Sequence, residues 1–243
     1  MISTTLFLLL SGGLPFYIYL EKHPKFNSKA IFYFSSFLLL CAILLSLYIP
    51  NEHNIYGVLI ASASALYSIY RATQTTNFYK LGYYLIYVNA PFFMLFETQG
   101  SLYSFSMIVS LAGLFLIGNF YEKNYGSANY LSVRGITLTT PCVGTYLTLY
   151  LIAIALYPPF PNALFFLNYI LNAETDIVSY IVMVTLFGAN FFLVMRVMKT
   201  TLFGRANPNI HYVHMSTKEK IIHSFIVAIL LILSLYGLKE MLL

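Results

Sequence analysis

Between Ile136 and Asn172 an apolar stretch long enough to cross a bilayer is interrupted by Tyr157-Pro158-Pro159-Phe160-Pro161-Asn162. Prolines at this density stop a helix, because each lacks a backbone donor and clashes with the preceding turn. Within a bilayer the break exposes backbone groups that lipid cannot satisfy, so it survives only where protein or a polar cavity covers it. Discontinuous helices of this kind recur in ion and proton transport folds. The residues of this break carry no charge, however, and ion transport requires one. That tension governs the functional reading.

The number of crossings made by 136–172 follows from the loop charges. Lys22, Lys25 and Lys29 follow the first apolar run, Glu52 the second, Arg71 and Lys80 the third, and Glu97 the fourth. Lys123 and Arg134 come next, then Glu174 and Asp176, and finally Lys199, Arg205, Lys218 and Lys220. Signs alternate, and all basic loops share one face only if 136–172 crosses once, as two half-helices. By the positive-inside tendency that face is cytoplasmic, or matrix in a mitochondrion.

The chain is 59% hydrophobic and 9% charged, with a mean hydropathy of +0.77, which excludes a soluble globular domain. Runs at 4–20, 30–49, 55–71, 81–96, 102–120, 136–157 continuing as 162–172, 177–198 and 220–241 each suit about 30 Å of hydrocarbon. The expectation is an all-α polytopic membrane protein, a single bundle over 1–243 with about eight transmembrane helices. The first run lacks a basic start and a cleavage site, so it reads as a span and not a signal peptide. Ser11-Gly12-Gly13-Leu14-Pro15 interrupts it and reads equally as a second break or as a proline kink, with Gly13 and Pro15 the breaking residues. The net charge of +5 points to loops on one membrane face rather than to nucleic acid.

Chemistry-bearing residues are sparse. Cys41 and Cys142 read as small buried hydrophobes, and no Cys/His cluster or glycine-rich loop suggests a cofactor. All eight acidic residues fall in loops or at span ends. Lys80 begins the fourth span and reads as an interfacial lysine or, less simply, as a relay charge. Arg196 and Lys199 read as anchors at the basic face. Asn89, Ser104, Ser106, Ser110, Asn162, Asn168 and Asn190 sit deeper, where they hydrogen-bond between helices or hold water without donating protons near pH 7. Trp is absent while Tyr numbers 22, so Tyr17, Tyr19, Tyr48, Tyr56, Tyr83 and Tyr84 are expected to form the interfacial belt. This bias suits an AT-rich genome such as an organellar one.

Several local patterns in order carry a resemblance. Thr73-Gln74-Thr75 with Lys80-Leu81-Gly82-Tyr83-Tyr84, Met107-Ile108 through Ala112-Gly113-Leu114-Phe115, and Tyr121-Glu122-Lys123 with Arg134-Gly135 come first. Pro158-Pro159-Phe160-Pro161-Asn162, Phe203-Gly204 and Ser216 with Lys218-Glu219-Lys220 complete the series. Together they resemble the antiporter-like membrane subunits of respiratory complex I, closest to the C-terminal part of NADH dehydrogenase subunit 4, with relatives in multi-subunit cation/proton antiporters.

The resemblance implies a subunit of NADH:ubiquinone oxidoreductase in the mitochondrial inner membrane, or alternatively a bacterial plasma membrane. It holds no cofactor or catalytic residue of its own. Its implied partners are other membrane-arm subunits and membrane lipids; the family's preceding helices with their buried glutamate are either lost or supplied by a separate chain. The chain departs from the family at each relay position. The lysine of the first break aligns with Gly13, and 30–49 has no lysine. The two histidines align with Asn89 and about Met107, and the charge after the second break falls at Phe166 or Leu167. The resemblance therefore implies fold and assembly, with any proton path confined to Lys80, Asn89 and Asn162. The alternatives are an active cation/proton antiporter subunit and a membrane scaffold of another complex.

Overall fold

A computed structural model describes residues 2–49, 54–132, 134–135, 140–172, 176–203, 205 and 211–242. Glu52, Glu174, Gly204 and the first four residues of the 136–172 stretch lie outside the described residues. Among the described residues ten helices follow in order: α1 (Ile2–Leu10), α2 (Tyr17–Lys22), α3 (Ser28–Ser46), α4 (Ile55–Gln74), α5 (Phe78–Leu95), α6 (Glu97–Tyr125), α7 (Pro141–Ile154), α8 (Pro161–Asn172), α9 (Ile177–Thr201) and α10 (Thr217–Leu242). No strand occurs among the described residues; Asn77 and Asn129 form one isolated bridge.

The caps explain where the helices begin. Asn27, Asn54 and Asn77 each turn a side-chain oxygen onto free N–H groups of the following first turn. Ser216 and Glu219 form a reciprocal capping box at α10. Pro141 and Pro161 open α7 and α8, where a missing N–H costs nothing. Gly126, at φ +72°, closes α6 in the left-handed conformation.

α5 is the centre of the bundle, with every residue but Lys80 buried. α4 and α6 flank it, and α3 and α9 complete its surround. Close approach depends on small residues: a Cβ on Gly113 of α6 would come within 2.5 Å of the Tyr150 ring of α7.

Both interrupted segments traverse the bundle from end to end. Along α5, which runs the opposite way, Phe7 of α1 meets Phe93, Gly12 meets Tyr87 and Ala90, and Tyr17 of α2 meets Tyr84. Along α10, Tyr146 and Tyr150 of α7 meet Ser224 and His223, Pro159 meets Ser234, and Leu164 of α8 meets Gly237. α7 and α8 thus form one broken rod parallel to α10. The 11–15 segment is likewise a true break, since residues 11–16 separate two helices.

Two expectations need correction. Among the described residues, four helices are long and apolar enough to cross a membrane on their own: Ser28–Ser46, Gln99–Tyr125, Ile177–Thr201 and Thr217–Leu242. The count of about eight is therefore not supported by length and composition. α5 is enclosed by protein and carries four tyrosines, Lys80 and Asn89, while α4 carries three serines and Arg71. Cys142 is exposed in the first turn of α7 rather than buried, because that turn lies at the surface; Cys41 is half-buried.

Candidate functional site

The second break is closed by its own chemistry. Pro158, Pro159 and Pro161 have no N–H to leave unsatisfied, and the Pro158–Pro159 peptide is cis. Leu156 takes a positive φ of 58° to turn the chain. The remaining donors find local acceptors, Tyr157 N–H on Ile152 O and Phe160 N–H on Tyr157 O. Ser234 of α10 donates its hydroxyl to Pro159 O. Asn162, fully buried in the first turn of α8, reaches back and donates to Ala153 O at 3.0 Å, a carbonyl freed where α7 stops. Its own Oδ1 accepts from Ser106 of α6. Asn162 is thus a side-chain splice across the break.

A carboxamide pair occupies the bundle centre. Asn89 of α5 donates to Asn190 of α9 at 3.1 Å and accepts in return at 2.8 Å. Asn89 also donates to Leu85 O, and Tyr103 of α6 donates to Asn89 Oδ1 at 2.7 Å. One turn of α6 then joins this group to the splice, because the single Ser106 hydroxyl proton lies between Tyr103 O and Asn162 Oδ1. The network links three helices and the break through amides and hydroxyls.

At the first break the packing is tight and the polar groups are less well served. Gly12 has φ +88°, and a Cβ on Gly13 would lie 2.9 Å from Leu8 O. Pro15 starts the turn into α2, accepting from Ile18 N–H. The buried Ser11 hydroxyl has no protein partner and faces a small cavity shared with Asn89, Tyr103, Ser104 and Met107. That cavity offers about 10 Å³ to the centre of a water-sized sphere, room for about one water.

The sequence-expected residues fall in two places. Asn89 and Asn162 are joined through Tyr103 and Ser106, whereas Lys80 lies nine residues before Asn89, about 13 Å along α5. Lys80 belongs to a charged end. There Glu21 of α2 pairs with Arg71 of α4 at 2.5 Å and accepts hydrogen bonds from the Tyr83 and Tyr84 hydroxyls. Burial opposes ionisation of Glu21, but the two tyrosines and the charges of Arg71 and Lys80 outweigh it and hold the carboxyl below its usual range. Lys29 pairs with Glu122 at 2.7 Å, and Tyr79 donates to that same carboxylate and to Asn119.

Three features were not readable beforehand. Tyr17, Tyr83 and Tyr84 are buried in a ring cluster around Glu21 instead of lining the interface, while Tyr19, Tyr48 and Tyr56 are 75–85% exposed. Arg196 is more than an anchor: its guanidinium donates to Ala72 O and Thr75 O at 2.9 and 3.0 Å, capping the end of α4. His223 of α10, 3% exposed, sits 2.8 Å from the Tyr150 hydroxyl and beside a cavity of about 120 Å³ shared with Asn119, Lys123 and Glu219. Its only sequence signal is a titratable residue four positions into an apolar run.

No family model and no curated protein matches the sequence. The fold is similar to that of a chain in respiratory complex I from Thermus thermophilus with bound NADH, at a TM-score of 0.70 and 14% identity. The match covers 99% of this chain and 56% of that one, so this chain spans just over half of that one's length.

Proposed function

We propose that this chain is a membrane-arm subunit of respiratory complex I, antiporter-like and closest to the C-terminal part of NADH dehydrogenase subunit 4, with a mainly structural role. The observation that carries the reading is the fold likeness over nearly the whole chain. In this reading residues 1–243 form one bundle of about eight crossings, the two broken rods, α4 and the protein-enclosed α5 adding to the four long apolar helices. A separate chain is one source for the helices that fill the remaining length of the longer relative. Electron transfer belongs to other subunits, and ubiquinone chemistry with them. The compartment is the mitochondrial inner membrane, with the bacterial plasma membrane as the alternative.

The structural role is supported by what fills the middle of the membrane. Among the described residues, the buried polar groups are Ser, Thr and Asn side chains and His223, besides tyrosine hydroxyls. Asn89 and Asn162 are consumed in bonds that hold helices together, and a carboxamide does not exchange protons near pH 7. Proton traffic through this chain would run past Lys80, Asn89 and Asn162 with its titratable groups supplied by the partner.

The second reading, an active cation/proton antiporter subunit, is favoured by one observation, the buried His223 beside a cavity. Purification of the native complex in mild detergent, followed by mass spectrometry, separates the two. Iron–sulfur and quinone-reducing subunits together with a small membrane chain bearing an intramembrane Glu support the first reading. Their absence sinks it, and leaves the antiporter or a scaffold of another complex.

A further inference from the structure

At the basic end, a cavity of about 330 Å³ opens where α3 and α5 begin and α6 ends. Its lining holds two full charges of opposite sign, Lys29 and Glu122, with Asn27, Asn77, Tyr79 and Ser127 around them. The two charged side chains are 35% and 41% exposed, and their ion pair spans the cavity wall. Tyr79 lies beneath both: its hydroxyl donates to Glu122, and its ring carries the Lys29 ammonium at 5.2 Å from the centroid. The starts of two long helices add positive potential near Lys29, and the end of α6 adds negative potential near Glu122. The cavity is dipolar and polar, and it opens at the basic end of the bundle, where the positive-inside tendency puts lipid headgroups.

We infer that this cavity binds the phosphoethanolamine headgroup of a membrane phospholipid, with the phosphate on Lys29 and the ammonium on Glu122. The assignment rests on the membrane placement of the chain and not on its assignment to complex I. A half-exposed ion pair contributes little, so opening it costs little, and a zwitterion re-pairs both charges without adding net charge. An anionic glycerol headgroup leaves Glu122 facing a phosphate. A choline headgroup has the right charges but no N–H to donate to the carboxylate. Selectivity for the primary ammonium is therefore the signature of the site.

The test is native mass spectrometry of the delipidated full chain in detergent, offered equimolar phosphatidylethanolamine, phosphatidylcholine and phosphatidylglycerol of identical acyl chains. Phosphatidylethanolamine should be retained about tenfold over phosphatidylcholine, the worth of one charge-assisted hydrogen bond. Glu122→Gln should abolish that preference, while Lys29→Met should weaken both zwitterionic lipids together. Equal retention of all three lipids by the unmodified chain overturns the proposal, a result that needs no variant to fold. A preference that survives Glu122→Gln overturns it too. Soluble O-phosphoethanolamine should compete only at far higher concentration, since it brings no acyl chains; competition at equal concentration overturns the lipid assignment. None of these outcomes depends on which proteins co-purify, so failure here is distinguishable from failure of the complex assignment.

Discussion

Replacing Asn162 by Ala separates a splice from a conduit. The substitution removes the side-chain donor from Ala153 O, which keeps only the Leu156 N–H, and leaves Ser106 with only its bond to Tyr103 O. An average interhelical side-chain bond in a membrane protein contributes about 0.6 kcal/mol, because lost partners are partly replaced. Ala153 O keeps the Leu156 N–H at 3.3 Å, so the loss falls on the bonds that Asn162 itself makes to α6 and α7. Two such bonds lost together cost about 1–2 kcal/mol. For a chain of this size that lowers Tm by about 2–8 °C. Asn168→Ala is the control. Asn168 is buried on the same helix, but its amide oxygen only receives the Asn172 side chain, so less than about 1 kcal/mol should be lost. Thermal unfolding of the detergent-solubilised chain, followed by circular dichroism, measures both. Equal Tm values for Asn162→Ala and the parent, together with loss of proton movement in reconstituted vesicles, would refute the splice and make Asn162 part of a path.

Other perturbations follow from the same geometry. Arg196→Ala should destabilise by about 1–2 kcal/mol and raise amide exchange around residues 74–78, because Ala72 O loses the guanidinium and Thr75 O keeps only the Tyr130 hydroxyl; Lys should restore less than half, having no planar fork to bridge the two carbonyls. Gly13→Ala should cost about 1–3 kcal/mol in chemical unfolding, since its Cβ would press on the Leu8 carbonyl, and Gly13→Lys should be no better tolerated. Glu21→Gln should lower Tm at pH 7. Its folded carboxyl lies below its unfolded value of about 4.3, so the stabilisation is complete above about pH 4.3 and is lost as pH falls through the lower folded value. Melting curves of parent and variant from pH 7 to pH 3 should therefore converge at the acid end.

What the sequence made legible was whatever is written locally. Proline and glycine spacing marked both breaks, and the alternation of loop charges required 136–172 to cross once, as the parallel run of α7 and α8 along α10 requires too. The deep asparagines and serines stood out against apolar surroundings. What stayed hidden depends on neighbours distant in the chain. Glu21 reads as a loop charge until α4 and α5 bring Arg71, Tyr83 and Tyr84 to it across about 50 to 63 residues. Tyr17 and Tyr19 have the same chemistry and nearly the same position, yet one points into the bundle and the other outward. Length and apolarity support only four spans among the described residues, for a related reason. A helix surrounded by protein is released from the apolarity that lipid demands, so α5 can carry tyrosines and Asn89, and hydropathy no longer reports its depth.

The two breaks differ in a way that bears on any transport role. A break that conducts ions must keep polar groups free for the ion and for water. The second break does the reverse: its prolines remove donors, Asn162 and Ser234 occupy its carbonyls, and its polar chain ends in the mutually paired amides of Asn89 and Asn190. Every acceptor named there already holds a proton donor, so a water entering must displace a bond that holds two helices together. The first break is looser, with the Ser11 hydroxyl unpaired, but Gly13 is packed against Leu8, so the lysine that the family resemblance places there has no room. Proton-exchanging groups, from Glu21 and Lys80 to Glu122 and His223, instead gather toward the basic end of the bundle. Among the described residues the middle between the two breaks carries amides and hydroxyls and no charge, so the break that is best closed is also the one farther from those groups.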